Sequence, residues 1–129
     1  LGAIRTVDRN HDLIAELGRN SVDVVIDLVA GQKWPSLLDL LRPGGRYAVA
    51  GAVGGPIVEL DVRTLYLKDL SFFGCTVLEP NVFGNLVKRI ERKEIAPLVA
   101  ETFTLRDIAA AQKAFGEKGY VGKIVLSVR

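Results

Sequence analysis

The stretch SLLDLLRPGGRYAVAGAVGG, residues Ser36 to Gly55, decides the fold class of this chain. Its leucines, from residue 37 to residue 41, repeat at the spacing of one helical face. Pro43 cannot continue a helix, and Gly44 or Gly45 can adopt the left-handed conformation that ends one. The first half of the stretch therefore predicts a helix that ends close to residue 44.

The second half of the same stretch predicts a buried strand followed by a glycine-rich turn. Residues 47–50 are apolar, as in a strand that is covered on both faces, and Gly51, Gly54 and Gly55 follow them. In open α/β sheets, cofactors bind at the carboxyl ends of the parallel strands. A cofactor-binding fold is one interpretation, and a plain turn between two elements of a parallel sheet is the other. No G-x-G-x-x-G or G-x-x-x-x-G-K-[ST] phosphate loop occurs in the sequence.

Composition excludes several classes of protein. The chain has 129 residues, 49% of them hydrophobic, and a net charge of only +2, so we expect a real core and no nucleic-acid partner. One cysteine, Cys75, and one histidine, His11, cannot form an internal disulfide or the usual tetrahedral zinc site. No apolar run has the length of a membrane span and no secretion signal is present, which predicts a cytoplasmic protein. A chain that begins at Leu1 and lacks methionine is expected to be a fragment or a processed product.

Strand-like and helix-like segments alternate along the rest of the chain, which predicts an α/β fold. Asp8, Asn10 and Asp12 are candidate caps for a helix that ends at Gly18, and Lys68 and Asp69 mark a turn. Another helix begins at Pro80, with an apolar face and a basic face that we expect to be solvated. The last helix is alanine-rich and covers residues 106–115. The predicted strands cover residues 3–7, 21–30, 71–77, 98–105 and 122–128.

Five segments, taken in order, resemble the medium-chain dehydrogenase/reductase superfamily, in particular its zinc-type alcohol dehydrogenases and quinone oxidoreductases. They are LGA at 1–3, DVVIDLVAG at 23–31, LLRPGGRYAVAGAVGG at 40–55, FFGCTV at 72–77 and GKIVLSV at 122–128. The resemblance covers nearly the whole chain and corresponds to the carboxyl-terminal half of such an enzyme. It implies a partial Rossmann-like parallel sheet with flanking helices over residues 1–95. Residues 96–129 would be a short β-α-β segment that returns to the catalytic domain.

The resemblance also implies what lies outside this chain. The glycine-rich pyrophosphate loop, the first two strands and the zinc ligands of the family would all precede Leu1, so this chain does not decide whether the whole protein binds zinc. In the family the two preceding strands separate the strand near residues 3–7 from the strand near residues 22–29. The latter strand then has a free apolar edge. We therefore expect a homo-oligomer, an exchange of elements between copies, or a shift of the first strand to that edge.

Ten residues match positions at which the family holds a nicotinamide dinucleotide. The resemblance places Val29, Ala30 and Gly31 beside the adenosine ribose, and Ala50, Gly51 and Ala52 beside the nicotinamide ring, where the missing Cβ of Gly51 lets backbone approach the cofactor. It places Cys75 and Val77, with Thr76 between them, at the carboxamide, with Cys75 acting through its carbonyl. Arg9 matches a position that favours the 2′-phosphate of NADP over the bare hydroxyl of NAD, and Lys123 one that reaches the pyrophosphate.

Each of these residues also has a purely structural interpretation. Residues 29–31 and 50–52 can be plain turns, Cys75 a buried inert thiol, Arg9 a solvated loop residue and Lys123 the first residue of a strand. His11 has no evident catalytic partner, and the sequence offers no acid or base for hydride transfer. No catalytic residue is therefore assigned within this chain.

The leading functional interpretation is the cofactor-domain part of an NAD(P)-dependent oxidoreductase. Such an enzyme transfers hydride between the nicotinamide and an alcohol, aldehyde, quinone or enone, and this chain alone is expected to be inactive. One alternative is an S-adenosylmethionine-dependent methyltransferase. The segment LLRPGGRYAVAG also resembles the late helix-stop-strand segment of that fold, although the ending GKIVLSV does not fit it. The other alternative is a non-catalytic α/β module that serves oligomerisation or partner binding.

Overall fold

The computed structural model describes residues 2–76 and 79–128. They belong to two units, Leu1–Val77 and Leu78–Arg129, each with a sheet of its own. Parallel strands and helices alternate in both units, so the predicted α/β class is confirmed. The predicted assignment of residues 1–95 and 96–129 to a cofactor domain and a catalytic domain stays a prediction.

A three-stranded parallel sheet organises the amino-terminal unit, with its strands in the order β1 (Val22–Asp27), β2 (Leu41–Val49) and β3 (Ser71–Gly74). Its central strand places Tyr47 beside Val25 of β1 on one side and Phe72 of β3 on the other. A short 3₁₀ helix, Gly31–Lys33, leads from the sheet into the second helix. The elements in chain order are α1 (Leu13–Leu17), β1 (Val22–Asp27), α2 (Trp34–Leu40), β2 (Leu41–Val49), α3 (Val62–Leu67) and β3 (Ser71–Gly74).

Local capping defines α1, as the sequence predicts. The Asp12 side chain accepts hydrogen bonds from the backbone N–H groups of Ile14 at 2.8 Å and Ala15 at 3.3 Å. These bonds satisfy two of the donors that a helix leaves unpaired at its start. Gly18, with φ of 82°, ends the helix and donates its N–H to the carbonyl of Ile14 at 2.8 Å.

The predicted end of the second helix is wrong by several residues. Helix α2 ends at Leu40, and Leu41 is already extended with φ −65° and ψ 129°. Proline disfavours helical backbone at the residue before it, here Arg42, so the helix ends before that residue. Gly44 adopts the left-handed φ of 75°, but it does so inside β2, where its N–H donates to the carbonyl of Lys68 at 2.7 Å. The register shifts there, since Val22 pairs with Leu41 but Val24 pairs with Arg46.

No strand forms over residues 3–7, which corrects the prediction for that segment. A strand needs a hydrogen-bonding neighbour, and within the described residues β1 pairs only with β2. Ile4 is fully exposed. The expected shift of the first strand to the edge of β1 is therefore not observed, and β1 is an edge strand of this sheet. Self-association through that edge stays a prediction.

An aromatic cluster forms the centre of the amino-terminal core. Trp34 and Tyr47 are nearly perpendicular at a centroid distance of 5.9 Å, and Phe72 lies 5.4 Å from Tyr47. Edge-to-face pairs of this kind are favourable arrangements of aromatic rings. The buried cluster consists of Val25, Trp34, Leu38, Leu41, Tyr47 and Leu70. Tyr47, a member of this cluster, donates its hydroxyl to Asp27 at the carboxyl end of β1.

The carboxyl-terminal unit contains a β-α-β arrangement preceded by a helix. Its elements are α4 (Pro80–Glu91), β4 (Val99–Thr104), α5 (Ile108–Glu117) and β5 (Lys123–Ser127). Strands β4 and β5 are parallel, as expected for two strands joined by a helix. The predicted helix at Pro80, the following strand and helix, and the final strand are all confirmed. None of the helices in residues 2–76 and 79–128 is long and apolar enough to cross a membrane.

Candidate functional site at the ends of β1 and β2

Two loops at the carboxyl ends of β1 and β2 are joined backbone to backbone. The first loop covers residues 28–31 and the second covers residues 50–55. The N–H of Ala50 donates to the carbonyl of Asp27 at 2.9 Å, and the N–H of Gly54 donates to the carbonyl of Val29 at 2.8 Å. These bonds continue the contact between β1 and β2 beyond the last residues of the strands.

Glycine is required where these two loops touch. A Cβ at Gly51 would lie 2.4 Å from the carbonyl oxygen of Leu28, and a Cβ at Gly31 would lie 2.3 Å from that of Gly54. Gly31 also has a φ of 74°, which disfavours residues with side chains. The missing side chain at Gly51 therefore serves a contact within the chain, in addition to any approach to a cofactor.

Asp27, the last residue of β1, is buried and hydrogen-bonded to the backbone of the first loop. Asp27 is 5% exposed. Its Oδ1 accepts hydrogen bonds from the N–H groups of Val29 at 2.8 Å and Ala30 at 2.9 Å, and its Oδ2 accepts one from the Tyr47 hydroxyl at 2.6 Å. Burial by itself raises the pKa of Asp27, but the hydrogen bonds from Tyr47, Ala30 and Val29 outweigh it, so the net pKa is below the ordinary value. Burial and the neighbouring carboxylate raise the pKa of Tyr47.

The position of Asp27 in the sequence is itself unusual. An aspartate inside a β-branched strand is costly to bury unless it is hydrogen-bonded, so its presence indicates local donors. Ala30 is unusual in its backbone conformation, which only the structure shows. Its φ of 55° and ψ of −144° are rare for a residue with a side chain. Both features belong to the loop that the resemblance places beside the adenosine ribose.

Four of the predicted residues line one open cavity of about 350 Å³ at the ends of β2 and β3. They are Ala50, Gly51, Ala52 and Cys75, and Thr76 lies with them. The N–H of Cys75 donates to the carbonyl of Val49 at 2.8 Å, which keeps this segment against β2. The thiol is exposed, so the alternative of a buried inert cysteine is wrong. Val77 lies outside the described residues.

Three other predicted residues line a larger cavity, of about 710 Å³, beside β1. They are Val29, Ala30 and Arg9. Lys33 lines it as well, and its ammonium donates to the backbone carbonyl of Arg9. Two cationic side chains therefore lie along one cavity, and the sequence indicated only one of them. Asp8 and Asp27 line the same cavity, so its lining carries charges of both signs.

The remaining predicted residues lie elsewhere. Gly31 is buried and contacts the second loop, and it lines a third cavity with Gly54 and Gly55. Lys123 belongs to the carboxyl-terminal unit, where it begins β5 and donates its N–H to the carbonyl of Leu98 at 2.9 Å. His11 lies just before α1, with its Nδ1 3.2 Å from Glu16 Oε1.

The described part of the chain does not supply a metal site. Within residues 2–76 and 79–128, no group of three or more histidine, cysteine, aspartate or glutamate side chains is placed to hold a metal ion. The donor set that zinc prefers in proteins is therefore not assembled by these residues.

Comparison with known proteins identifies the family. The sequence model described as "Zinc-binding dehydrogenase" matches residues 1–126. The bovine (Bos taurus) quinone oxidoreductase-like protein 2 is 29% identical over 88% of this chain and 35% of its own length. The structure of a Sinorhizobium meliloti 1021 protein classed as an alcohol dehydrogenase is 42% identical, with a TM-score of 0.78 over 92% of this chain and 35% of that one. An NAD-dependent alcohol dehydrogenase is 26% identical, with a TM-score of 0.80 over 99% of this chain and 39% of that one.

These matches extend along nearly all of the chain, whereas the chain spans only about a third of the bovine relative, 35% of its length. The parallel sheet agrees with the fold of the solved relatives. The chain therefore belongs to the zinc-binding dehydrogenase family of the medium-chain dehydrogenase/reductase superfamily, and corresponds to its carboxyl-terminal half.

Proposed function

We propose that this chain is the cofactor-domain part of an NAD(P)-dependent oxidoreductase. The observation that carries the proposal is the pair of joined loops at the ends of β1 and β2, whose residues line open cavities. The carboxyl ends of parallel strands are where α/β enzymes bind dinucleotides. The family does not fit the methyltransferase alternative, while the non-catalytic module remains an outcome of the test below.

The chain's own residues would bind and orient the cofactor. Ala50, Gly51 and Ala52 would contact the nicotinamide ring, and the backbone of Cys75 and Val77 would pair with its carboxamide. Val29, Ala30 and Gly31 would border the adenosine ribose, and Lys123 would reach the pyrophosphate. When bound, the nicotinamide supplies hydride transfer. Among the residues that line the smaller cavity, Cys75 is the one titratable side chain, so proton transfer is left to other parts of the enzyme.

We propose that the preferred cofactor is NADP. Arg9 and Lys33 line the same cavity as Val29 and Ala30, so a 2′-phosphate on the ribose would meet two cations there. Asp8 and Asp27 also line this cavity. Asp8 accepts a hydrogen bond from the N–H of Asn10 at 2.8 Å, and both oxygens of Asp27 accept bonds from Tyr47 and the loop. The substrate we propose is a small alcohol, aldehyde, quinone or enone, in line with the alcohol dehydrogenase and quinone oxidoreductase-like relatives.

Nucleotide titration tests this function. NADPH and NADH are titrated by fluorescence into the complete product of the gene and into the 129-residue chain. Arg9→Ala should weaken NADPH binding about tenfold or more and leave NADH binding nearly unchanged, because only NADPH carries the extra phosphate. Arg63→Ala removes the same charge from an arginine paired with Asp61 and is the control. A complete product that binds neither nucleotide overturns the proposal and favours the non-catalytic module.

Homo-oligomer formation is part of the same proposal. The edge strand β1 carries exposed apolar side chains, with Ile26 74% and Val24 42% exposed. An apolar strand edge of this kind pairs readily with another chain. Light scattering at high protein concentration should show a species larger than a monomer, and a clean monomer would contradict self-association.

A further inference from the structure

The buried pair Asp27 and Tyr47 connects the aromatic core to the first cofactor loop. Tyr47 is 2% exposed and packs against the Trp34 and Phe72 rings, while its hydroxyl donates to Asp27. Both oxygens of the Asp27 carboxylate are therefore occupied, one by the core and one by the loop. The proposed reaction makes no use of this carboxylate.

We propose that Asp27 is a positioning residue for nicotinamide dinucleotide binding, which fixes loop 28–31 from inside while Tyr47 fixes Asp27. The inference rests on the proposed function, because it assigns to these two residues the shape of the same cofactor-binding loop. Asp27 lines the cavity beside β1, but both of its oxygens are occupied by Tyr47 and the loop, so neither side chain would bind the cofactor directly. Their effect on binding would pass through the backbone of Val29 and Ala30.

The loop needs such a fixing group because its backbone is unfavourable on its own. Ala30 has φ 55° and ψ −144°. Residues in such regions persist only where their surroundings hold them. Asp27 supplies two charge-assisted hydrogen bonds to this backbone, and such bonds are stronger than those between neutral groups.

The same bonds position the second loop. Val29 donates its N–H to Asp27 and accepts the N–H of Gly54 at 2.8 Å. A shift of Val29 would therefore move the contact with Gly54, which lines the cavity beside β1. An apolar residue at position 27 would continue the strand without the desolvation cost of a buried carboxylate, but it would offer no acceptor to the loop.

Three variants and one matched control separate positioning from general stability. Asp27→Ala removes both sets of bonds, Asp27→Asn keeps an oxygen for the two N–H groups, and Tyr47→Phe removes only the hydroxyl. Phe72→Leu trims the same aromatic cluster and has no described hydrogen bond to Asp27. All are made in the complete gene product, and their unfolding midpoints are measured first. NADPH affinity and amide hydrogen exchange at Val29 and Ala30 are then compared.

We expect Asp27→Ala to weaken NADPH binding about tenfold or more, and Asp27→Asn to recover most of that loss. Exchange at Val29 and Ala30 should rise more than exchange at the amides of β2 and β3. Phe72→Leu, even at an equal loss of stability, should change neither readout selectively. If Asp27→Ala does not fold, Tyr47→Phe compared with Phe72→Leu decides by the same two readouts.

The outcomes distinguish this inference from the proposed function. A wild-type protein that binds neither nucleotide overturns the proposed function, and the positioning role with it. A wild-type protein that binds NADPH or NADH, while the Asp27 and Tyr47 variants bind equally well, overturns the positioning role alone. Uniformly faster exchange throughout the sheet, without a selective rise at Val29 and Ala30, also overturns it.

Discussion

The substitution Gly51→Ala tests whether the two strand-end loops are joined as closely as the structure indicates. The added Cβ would lie 2.4 Å from the carbonyl oxygen of Leu28 and 3.1 Å from its carbonyl carbon. Both are backbone atoms at the end of β1, so they cannot rotate away as the end of a flexible side chain could. The loops would have to separate by several tenths of an ångström or more.

The expected cost follows from overpacking. Adding a carbon where no space exists typically destabilises a protein by about 1–3 kcal/mol. Alanine also restricts the unfolded chain, which offsets about 0.4–1 kcal/mol of that loss. We therefore expect Gly51→Ala to lower the free energy of unfolding by about 1–2 kcal/mol.

Gly74→Ala is the matched control, because Gly74 lines the same cavity at the end of β3. A Cβ at Gly74 meets nothing within 4 Å, and this glycine is not among those with positive φ. Its replacement should leave stability unchanged or raise it by about 0.5–1 kcal/mol. The difference between the two variants isolates the steric contact with Leu28.

Urea unfolding followed by tryptophan fluorescence measures the difference. Trp34 is the one tryptophan of the chain, and it is 7% exposed in the core of the amino-terminal unit, which contains both glycines. The signal therefore reports the unit that the two substitutions affect. Equal unfolding midpoints for Gly51→Ala and Gly74→Ala would refute the close contact and the structural role assigned to Gly51.

Three further predictions concern the same unit and the same unfolding assay. Ala30→Gly should stabilise the protein by about 1 kcal/mol, because relief of a backbone strain of about 1–3 kcal/mol exceeds the cost of the entropy that glycine adds to the unfolded chain. A loss of stability would contradict the strain at Ala30. Asp27 contributes stability that is present above the ordinary aspartate pKa of 3.8 and is lost as the pH falls below it. Tyr47→Phe removes a hydrogen-bond donor and lets burial raise the pKa of Asp27. The unfolding free energy of this variant should therefore fall less steeply than that of the wild type between about pH 4 and pH 2. An unchanged slope would count against the hydrogen bond. Lys68→Met should cost about 1 kcal/mol, because the ammonium donates to the carbonyl of Leu38 at 2.8 Å at the end of α2, and a neutral result would show that this bond is dispensable.

Sequence alone predicted the elements whose determinants are local. Helix α1 begins at Asp12 and ends at Gly18 because a side-chain acceptor and a left-handed glycine act on their own neighbours. A strand over residues 21–30 was predicted because β-branched residues favour a buried parallel strand, and the structure has it as β1, which ends at Asp27. Helix α4 was predicted from Pro80 onward because its apolar residues recur at helical spacing.

Prediction from sequence failed where neighbouring strands decide the backbone. The glycines after Pro43 suggest a helix end, but β1 and Lys68 draw this segment into β2. Residues 3–7 have strand-like composition and find no neighbour to pair with in the described part of the chain. Helix α3 was missed because it is short, although Asp61 accepts the N–H of Arg63 at 2.9 Å as a helix cap does.

For the site, the sequence predicted positions but not all of their reasons. The resemblance directed attention to residues 29–31, 50–52 and 75–77, and the structure places most of those it describes around open cavities at the strand ends. Lys33 was missed because its approach to Arg9 joins segments that are far apart in sequence. Asp27 was missed as a determinant because its donors come partly from Tyr47, on the next strand.

Glycine at this site has two physical causes that sequence cannot separate. A cofactor that lies against backbone and a second loop that lies against backbone both exclude a Cβ, and both select the same residue. At Gly51 the structure identifies the second cause, since Leu28 already occupies the space. Gly74 differs, because it lines the same cavity and has open space beside it. A substitution at Gly74 that weakens nucleotide binding without lowering stability would therefore report the cofactor contact itself, which Gly51 cannot do.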